Sequence, residues 1–302
     1  MLDLKLFKVN PSMFLENAIK GFIAASPDNK LSAFHNIPLF DDSLVGFVDG
    51  DDAIFEEYKK IIGSFHFTPG EVMELYLRKK DAVKQQLRNV SVIACVFTTP
   101  YEVRLSLRRE TLIASLMANR ATWEGKDFLH DKMLNYVISL LEGLGYQAVA
   151  PSAADFFKWI ELPDGPSSNW SETHVAYAAG LGTFGLSGGL ITPRGIAVHC
   201  MSVVTDLALP SSPRLHKNHL ANCLFFRNGS CRRCIERCPS GAISEQGYNK
   251  KKCHGYHVLE QPEIWKRLER GTYIGLDPSC GLCQTKVPCE SRIPPIVPVK
   301  NQ

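Results

Sequence analysis

The chain has 302 residues, 45% of them hydrophobic, so it can bury a substantial core and has room for two domains. Its formal net charge of +3 favours neither a general nucleic-acid surface nor a strongly acidic binding partner. The N-terminus has no apolar signal core, twin arginine or cleavage site, and no later run could cross a bilayer. We therefore expect a soluble, cytoplasmic protein without a membrane partner.

The first hundred residues predict helices alternating with strands. Residues 12–25 have the periodicity of an amphipathic helix, SLVGFVDG is typical of a short strand, and residues 51–62 and 71–86 favour helices with one charged face. The run NVSVIACVFTT is apolar and β-branched and ends at Pro100, which predicts a central strand covered on both faces.

A long helix and two further strands are predicted next. From Asp127 to Leu144 apolar residues recur at helical spacing, and Gly143 and Gly145 end the helix. QAVAPS and GIAVHCMSVVTDL predict strands. Cysteine-rich loops with short helices follow, so the predicted boundary lies near ALPSSPR, with domains at 1–207 and 208–302. The fold class is α/β, or more broadly α+β.

Eight of the ten cysteines occur in two sets after residue 222. FRNGSCRRCIERCPSGAI repeats the last three cysteines of the bacterial ferredoxin run, whereas Asn228 occupies the first position and Cys223, five residues upstream, replaces it. By the usual exchange of the last ligand, one [4Fe-4S] cluster is assigned to Cys223, Cys231, Cys234 and Cys289, and the other to Cys238, Cys253, Cys280 and Cys283.

Zinc sites and disulfides are alternative uses of these cysteines. Two zinc sites with four thiolates each also use Cys-x2-Cys pairs, but the x3-Cys-Pro spacing and the following SGAI favour iron–sulfur. Disulfides are weaker candidates because nothing indicates export. Cys95 and Cys200 lie in apolar strand sequences, where thiols are usually small buried hydrophobes.

A dinucleotide fingerprint also occurs. The glycines at 180, 182 and 185 match G-x-G-x-x-G, and Asp206 lies at the distance expected of a ribose-binding acid. However, a short helix with Ser171 as its N-cap precedes them and a strand follows, the reverse of the order that places a pyrophosphate on a helix N-terminus. A dinucleotide is therefore not expected. The dense glycines indicate either a flat ligand close to the backbone or a tight loop without a ligand, and composition leaves both open.

Three segments together resemble a known family. ETHVAYAAGLGTFGLSGGLITPRG, SVVTDLAL and CRRCIERCPSGAI, in this order, are similar to the core of the epoxyqueuosine reductases and the related reductive dehalogenases. The resemblance is clearest from Glu172 to Cys289. It implies a nitroreductase-like, cobalamin-binding domain followed by a ferredoxin-like domain with two [4Fe-4S] clusters, and it favours a ligand at the glycines. The cofactor contacts it implies are His174, Gly180, Gly182, Gly185, Gly188 and Thr192.

Two departures from the family limit what the resemblance implies about substrate. Thirteen residues follow Cys289, where the reductases continue into helical repeats that grip tRNA, so a tRNA substrate is not expected. The export signal of respiratory dehalogenases is absent. We expect a divergent reductase whose substrate, a small molecule or modified nucleoside, receives electrons through the more exposed cluster, then the inner one, then cobalamin.

Candidate proton donors come from two places. Asp127, before the predicted long helix, roughly matches an acidic position of the family, and His130 and Asp131 compete with it; each equally fits a bland role, as a first-turn acid does at a helix dipole. Tyr101 follows the central strand and is either a donor or an ordinary half-buried tyrosine. His174 is equally explained as a core hydrogen-bonding residue.

Two basic stretches have a functional and a bland interpretation. The arginines at 104, 108 and 109 would contact the phosphate or amides of cobalamin, and the lysines at 250 to 252 would dock reduced ferredoxin or flavodoxin; both stretches also fit solvated faces. The competing function is not enzymatic: an electron-transfer or corrinoid-handling protein without a substrate pocket of its own.

Overall fold

The protein is described here from a computed structural model that covers residues 4–80 and 89–295. The α-helices in these ranges are α1 (Leu4–Val9), α2 (Pro11–Ala25), α3 (Ile54–Ile61), α4 (Pro69–Lys79), α5 (Tyr101–Arg108), α6 (Leu116–Phe128), α7 (Asn135–Gly143), α8 (Glu172–Ala178), α9 (Leu224–Asn228), α10 (Arg233–Arg237), α11 (Lys250–Gly255) and α12 (Gln261–Arg267). The strands are β1 (Ser43–Asp49), β2 (Ser91–Thr98), β3 (Ala148–Val149), β4 (Trp159–Leu162), β5 (Gly165–Ser168), β6 (Thr183–Phe184), β7 (Leu190–Ile191), β8 (Val198–Thr205), β9 (Ile243–Ser244) and β10 (Gly247–Tyr248).

The main sheet has four strands in the order β1-β2-β8-β3, and every neighbouring pair is antiparallel. Cys95 of β2 faces Val45 of β1 on one side and Met201 of β8 on the other. Every residue of β2 except Thr98 is buried, as the β-branched run predicts. The central position of this strand is therefore confirmed.

Helices cover both faces of this sheet. Successive side chains of a strand point to opposite faces, so Ile93 and Phe97 join one cluster, with α2, α6 and α7, while Val92 and Val96 join another, with α3, α4 and α8. This mixture of sheet and helices confirms the α+β class.

The long helix begins eleven residues earlier than predicted. It runs through α6, a π-helical turn at Leu129–Leu134 and α7 without interruption, and Ser115 caps its start by accepting a hydrogen bond from Ala118. Asp127 lies in the last turn of α6 and not in the first turn of the helix, so its interpretation as a first-turn acid is wrong.

The shorter predicted elements agree with the structure in part. Helix α2 agrees closely with the predicted 12–25. Helix α4 begins with a capping box between Thr68 and Glu71. The predicted extension of α4 to residue 86 lies outside the described residues beyond residue 80. The strand expected after Gly185 is only a two-residue pairing of β6 with β7. Within the described ranges no helix is long and apolar enough to cross a membrane.

The cysteine-rich segment, residues 208–295, packs through α5 and α6 onto the sheet-bearing part, which comprises the described residues up to 207. Asn119 of α6 donates to the carbonyls of Ile274 and Asp277 and accepts from the Ile274 amide, and Trp123 donates to the Asp277 carbonyl. A third hydrophobic cluster contains residues from both sides of the predicted boundary, among them Ile191, Ile196, Ile243 and Val287. The division near residue 207 stays a prediction.

Candidate metal centres and the adjoining cavity

The first predicted set of thiols is brought together in one apolar pocket. Cys223 lies at the N-cap of α9, Cys231 and Cys234 flank the start of α10, and Cys289 returns from the end of the described chain to line the same pocket. Burial and then the neighbouring thiols raise the pKa of Cys234 to about 11 and that of Cys289 to about 12. These four side chains are therefore neighbours, as their assignment to one cluster requires. That they bind iron stays a prediction.

The second set forms another group beside the first. Cys238 follows the end of α10, Cys253 lies in α11, Cys283 lies in a short helical turn at Leu282–Gln284, and Cys280 precedes that turn. Burial raises the pKa of Cys283 well above its usual value, and Cys280, Cys253 and Cys238 raise it further. Cys283 also interacts electrostatically with Cys234 of the first set. The two groups of thiols are thus adjacent.

Polar side chains contact the second group, whereas the hydrogen bonds to Cys234 and Cys289 of the first come from backbone amides. Burial alone would raise the pKa of Cys253, but hydrogen bonds from His257 and Tyr248 lower it. Burial likewise opposes protonation of His257, yet its hydrogen bonds with Asp277, Cys253 and Cys280 raise its pKa to about 12. His257 is therefore held as a cation between a carboxylate and two thiols.

The chemistry of these donors suits soft metals. Thiolates select iron–sulfur clusters or zinc, and each group has the four thiols that either ligand set requires in number. Among residues 4–80 and 89–295, no three His, Cys, Asp or Glu side chains lie close enough together to bind a single metal ion.

A cavity of about 300 Å³ lies where the cysteine-rich segment meets the sheet-bearing part. One wall comes from α5 and α6 and includes Ala121 and Thr122; another comes from the start of β8 and includes His199; Cys280 lines it from the cysteine-rich side. Its polar lining residues are Thr99, Thr122, His199, His257, Ser279, Gln284 and Thr285. A member of the second thiol group therefore borders a space of the size that small molecules occupy.

His199 was missed by the sequence analysis. Burial lowers its pKa to about 4, so the imidazole facing this cavity is neutral. Phe40 contacts its ring edge-on, with 5.4 Å between the ring centroids. The only sequence signal was a histidine in an apolar strand, which does not distinguish a core residue from a site residue.

The predicted proton donors do not line this cavity. Asp127 is exposed on α6, beyond the lining residue Thr122, and Asp131 is exposed in the π-helical turn. Burial lowers the pKa of the partly buried His130, and Lys126 adds to this effect. Tyr101 is 50% exposed at the start of α5, with the guanidinium of Arg104 5.9 Å from its ring centroid.

The glycine-rich loop is packed against the chain itself. A Cβ atom added to Gly180 would lie 2.5 Å from the Pro213 carbonyl oxygen, and one added to Gly182 would lie 2.7 Å from that of Ile191. Gly188 has a φ of +76°, and a Cβ added to it would lie 2.9 Å from the ring of Tyr248. Gly185 lies against the side chain of Ile191. Contacts within the protein account for these glycines without a ligand, and that they face a corrin ring stays a prediction.

The other two predicted cofactor contacts also have structural partners. His174 shares a hydrogen bond of 2.8 Å with Ser171, and burial and then nearby His66 lower its pKa to about 4. Thr192 is fully buried and donates to the carbonyl of Gly195 within a turn. Both side chains therefore fit the bland interpretation of core hydrogen bonding.

Two of the three arginines after the central strand bind a carboxylate instead of an open site. Arg108 donates from Nε at 2.9 Å and from Nη2 at 2.7 Å to the carboxylate of Glu290, and Arg104 lies 3.5 Å from it. Glu290 is 3% exposed and directly follows Cys289. The expectation that Arg104 and Arg108 are available to cobalamin is therefore wrong, because they hold the segment that carries the last cysteine of the first group.

Comparison with known proteins gives two sequence relatives over the matching part of the chain. The chain is 32% identical over 145 residues to an epoxyqueuosine reductase of Synechocystis sp., covering 44% of this chain and 47% of that protein. It is 28% identical over 123 residues to an epoxyqueuosine reductase of Bacillus anthracis, covering 39% of this chain and 29% of that protein. The chain thus spans about half the length of the first relative and less of the second. No protein-family model matches.

One solved structure, also of an epoxyqueuosine reductase, is remotely similar to this chain. A crystal structure of epoxyqueuosine reductase with a tRNA-Tyr epoxyqueuosine-modified stem loop aligns with a TM-score of 0.48 and 16% identity, covering 83% of this chain and 62% of that one.

Proposed function

We propose, from the premise that this chain belongs to the superfamily of the epoxyqueuosine reductases and reductive dehalogenases, that it is a reductase with two [4Fe-4S] clusters and a base-off corrinoid. When bound, these groups supply one-electron transfer and a strongly nucleophilic reduced cobalt. The protein supplies their positions, their electrostatic surroundings and a site for the substrate.

One observation supports this proposal above all others: Cys280 belongs to the second thiol group and also lines the cavity of about 300 Å³. A cluster held there would lie next to whatever the cavity binds. The adjacent first group, represented by Cys234 and Cys289, would be the entry point for electrons. Iron–sulfur is preferred to zinc because of the x3-Cys-Pro spacing at Cys238.

The cavity fits part of a corrinoid and not all of it. Its volume is at the lower end of the range for small-molecule sites. The residues that would contact a ligand are His199 and Thr122 on one side and Gln284 and Thr285 on the other. Asp127 or Tyr101 could donate a proton only to a ligand that extends beyond these walls.

The substrate and donor are proposed by class. The substrate is a small molecule or modified nucleoside, the class to which the epoxyqueuosine in the relatives' names belongs. The electron donor is a reduced ferredoxin or flavodoxin that docks beside the first group, the proposed entry point. The lysines at 250 to 252 lie next to Cys253 of the second group and are not proposed as its docking site.

A second candidate function is an electron-transfer or corrinoid-handling protein that reduces cobalt in a partner. The glycine loop is compatible with it, because contacts within the chain account for these glycines without a ligand. Both candidates require the clusters, and only the reductase requires stoichiometric corrinoid binding.

The test is anaerobic reconstitution with iron and sulfide, followed by addition of cobalamin. The reductase proposal expects about eight iron atoms per chain, a broad visible absorption band and a base-off cobalamin spectrum at one equivalent. Intact, redox-active clusters without corrinoid binding would support the electron-transfer function, and zinc in place of iron would overturn both.

The ligand assignment has its own variant. Cys223→Ser is expected to lower the iron content from about eight to about four, because the first group loses one of its four thiolates. Cys200→Ala is the matched control, since this thiol is buried in β8 and is not assigned to a cluster. Retention of about eight iron atoms in Cys223→Ser would remove Cys223 from the ligand set.

A further inference from the structure

The two thiol groups lie in unlike surroundings. The pocket of the first group is lined mainly by apolar side chains, among them Leu186, Ile191, Ile196 and Phe225, and the hydrogen bonds to Cys234 and Cys289 come from backbone amides. The second group is contacted by polar ones: Cys238 lies 3.3 Å from the hydroxyl of Ser240, and Cys253 is hydrogen-bonded to Tyr248 and His257. Hydrogen bonds to the sulfurs and nearby charge are among the main determinants of a cluster's reduction potential.

Arg237 adds a fixed cation on the side of the second group. It precedes Cys238 in the chain, and its guanidinium interacts electrostatically with Cys280 and Cys283. Its Nε donates to the carbonyls of Leu282 and Thr285, each at 3.2 Å. The guanidinium is therefore anchored to the same turn that carries Cys283.

The hydrogen-bond partners of Arg237 are all neutral oxygens. Besides the two carbonyls of the turn, it donates from Nη1 to Glu110 at 2.7 Å and from Nη2 to Leu107 at 3.0 Å, in both cases to the backbone carbonyl. The nearby carboxylate of Glu290 is already paired bidentately with Arg108. Among the described residues the guanidinium of Arg237 thus has no hydrogen-bonded carboxylate partner, and it interacts electrostatically with Cys280, Cys283 and Glu290.

We propose that Arg237, assisted by the hydroxyl of Tyr248, sets the reduction potential of the second cluster above that of the first. This inference rests on the proposed iron–sulfur function. One-electron reduction of a cluster adds one negative charge to it, and a fixed cation stabilises that reduced form. Electrons taken from the ferredoxin or flavodoxin by the first cluster then move to the second and collect beside the cavity at Cys280.

The test is a redox titration of the reconstituted protein, with each cluster followed by its electron paramagnetic resonance signal. Cys231→Ser, which removes a ligand of the first group, assigns the two signals. The wild-type protein is expected to show two potentials, the higher one belonging to the second cluster. The titration needs no substrate or corrinoid. Failure to assemble clusters would contradict the proposed function. Assembled clusters whose two potentials do not differ as expected would contradict this inference alone.

Three variants separate charge from structure. Arg237→Gln is expected to lower the higher potential toward the lower one and to leave the lower one unchanged, whereas Arg237→Lys keeps the charge and the wild-type order. Arg267→Gln, an exposed arginine of α12, is the control for overall charge and shifts neither potential. Equal shifts in Arg237→Lys and Arg237→Gln would assign Arg237 a purely structural role and overturn the proposal.

Tyr248→Phe keeps the test decisive if Arg237→Gln does not assemble. Tyr248 is 39% exposed in β10, so the loss of its hydroxyl is compatible with folding, and its hydrogen bond to Cys253 disappears. The higher potential is expected to fall, by less than in Arg237→Gln. If the second cluster instead has the lower potential in the wild-type protein, the proposed direction of electron flow is refuted whatever the variants do.

Discussion

Glu172 is a buried carboxylic acid whose surroundings favour the protonated form. It begins α8, and neither carboxylate oxygen has a well-aligned hydrogen bond from the described residues. Burial raises its pKa to about 7, against the opposing influence of Ser202, Ser152 and Trp170 nearby. A carboxyl whose pKa is raised by folding contributes most to stability at low pH, and this contribution is lost as the pH rises through the folded pKa.

Glu172→Gln is therefore expected to change the pH dependence of stability. The wild-type protein should lose stability between about pH 5 and pH 8 relative to the variant, by on the order of 1–3 kcal/mol, because only the wild-type side chain must ionise in the core. Urea denaturation of both proteins at pH 5, 7 and 9 measures the difference. A constant difference across this range would mean that Glu172 does not titrate there.

At the scale of elements, α5 and the segment around Cys289 are joined by a buried carboxylate. Glu290 accepts two hydrogen bonds from Arg108 of α5 and one from the backbone amide of Lys286. Gly195, with a φ of +92°, lies so close that an added Cβ would be 2.3 Å from the Glu290 carbonyl oxygen. The turn after β7 and the end of the described chain thus hold Cys289 in place together.

Glu290→Ala is expected to destabilise the protein by about 2 kcal/mol, because Arg104 and Arg108 lose their buried partner while Arg108 keeps some access to water. The released segment should also lower the retention of iron by the first cluster. Chemical denaturation and iron analysis measure the two effects. Glu102→Ala, an exposed acid on the same helix, is the control and should change neither.

At the scale of the whole molecule, the cavity exists because two parts of the chain meet. Helices α5 and α6 and strand β8 form one side, and the segments around Cys280 and Thr285 form the other. Attachments between Asn119 and Ile274 and between Arg237 and Leu107 hold these parts in contact. A ligand in the cavity would touch both parts, so its binding depends on their docking.

Thr122→Trp is expected to fill this cavity from the α6 side. Iron content should remain at about eight atoms per chain because Thr122 lies on the α6 wall and Cys280 on the cysteine-rich side, whereas the affinity for cobalamin or substrate should fall at least tenfold. Thr122→Val keeps the volume and serves as the control. Iron analysis combined with a spectroscopic cobalamin titration checks both expectations, and unchanged binding would locate the ligand outside this cavity.

Features that depend on short-range spacing could be predicted from the residues alone: the apolar strand before Pro100, the amphipathic helices, and the two sets of cysteines that the fold brings together. Which groups meet across long separations became visible in the folded chain. The glycines from 180 to 188 pack against Pro213, Ile191 and Tyr248, and Glu290 pairs with an arginine 182 residues away. The start of the helix before Asp127 was missed because its buried face there consists of small or polar residues, Ala118, Asn119, Ala121 and Gly125, which give no large apolar stripe. Such contacts depend on how sheet faces and loops pack together, and no local pattern of residues shows which distant segments will meet.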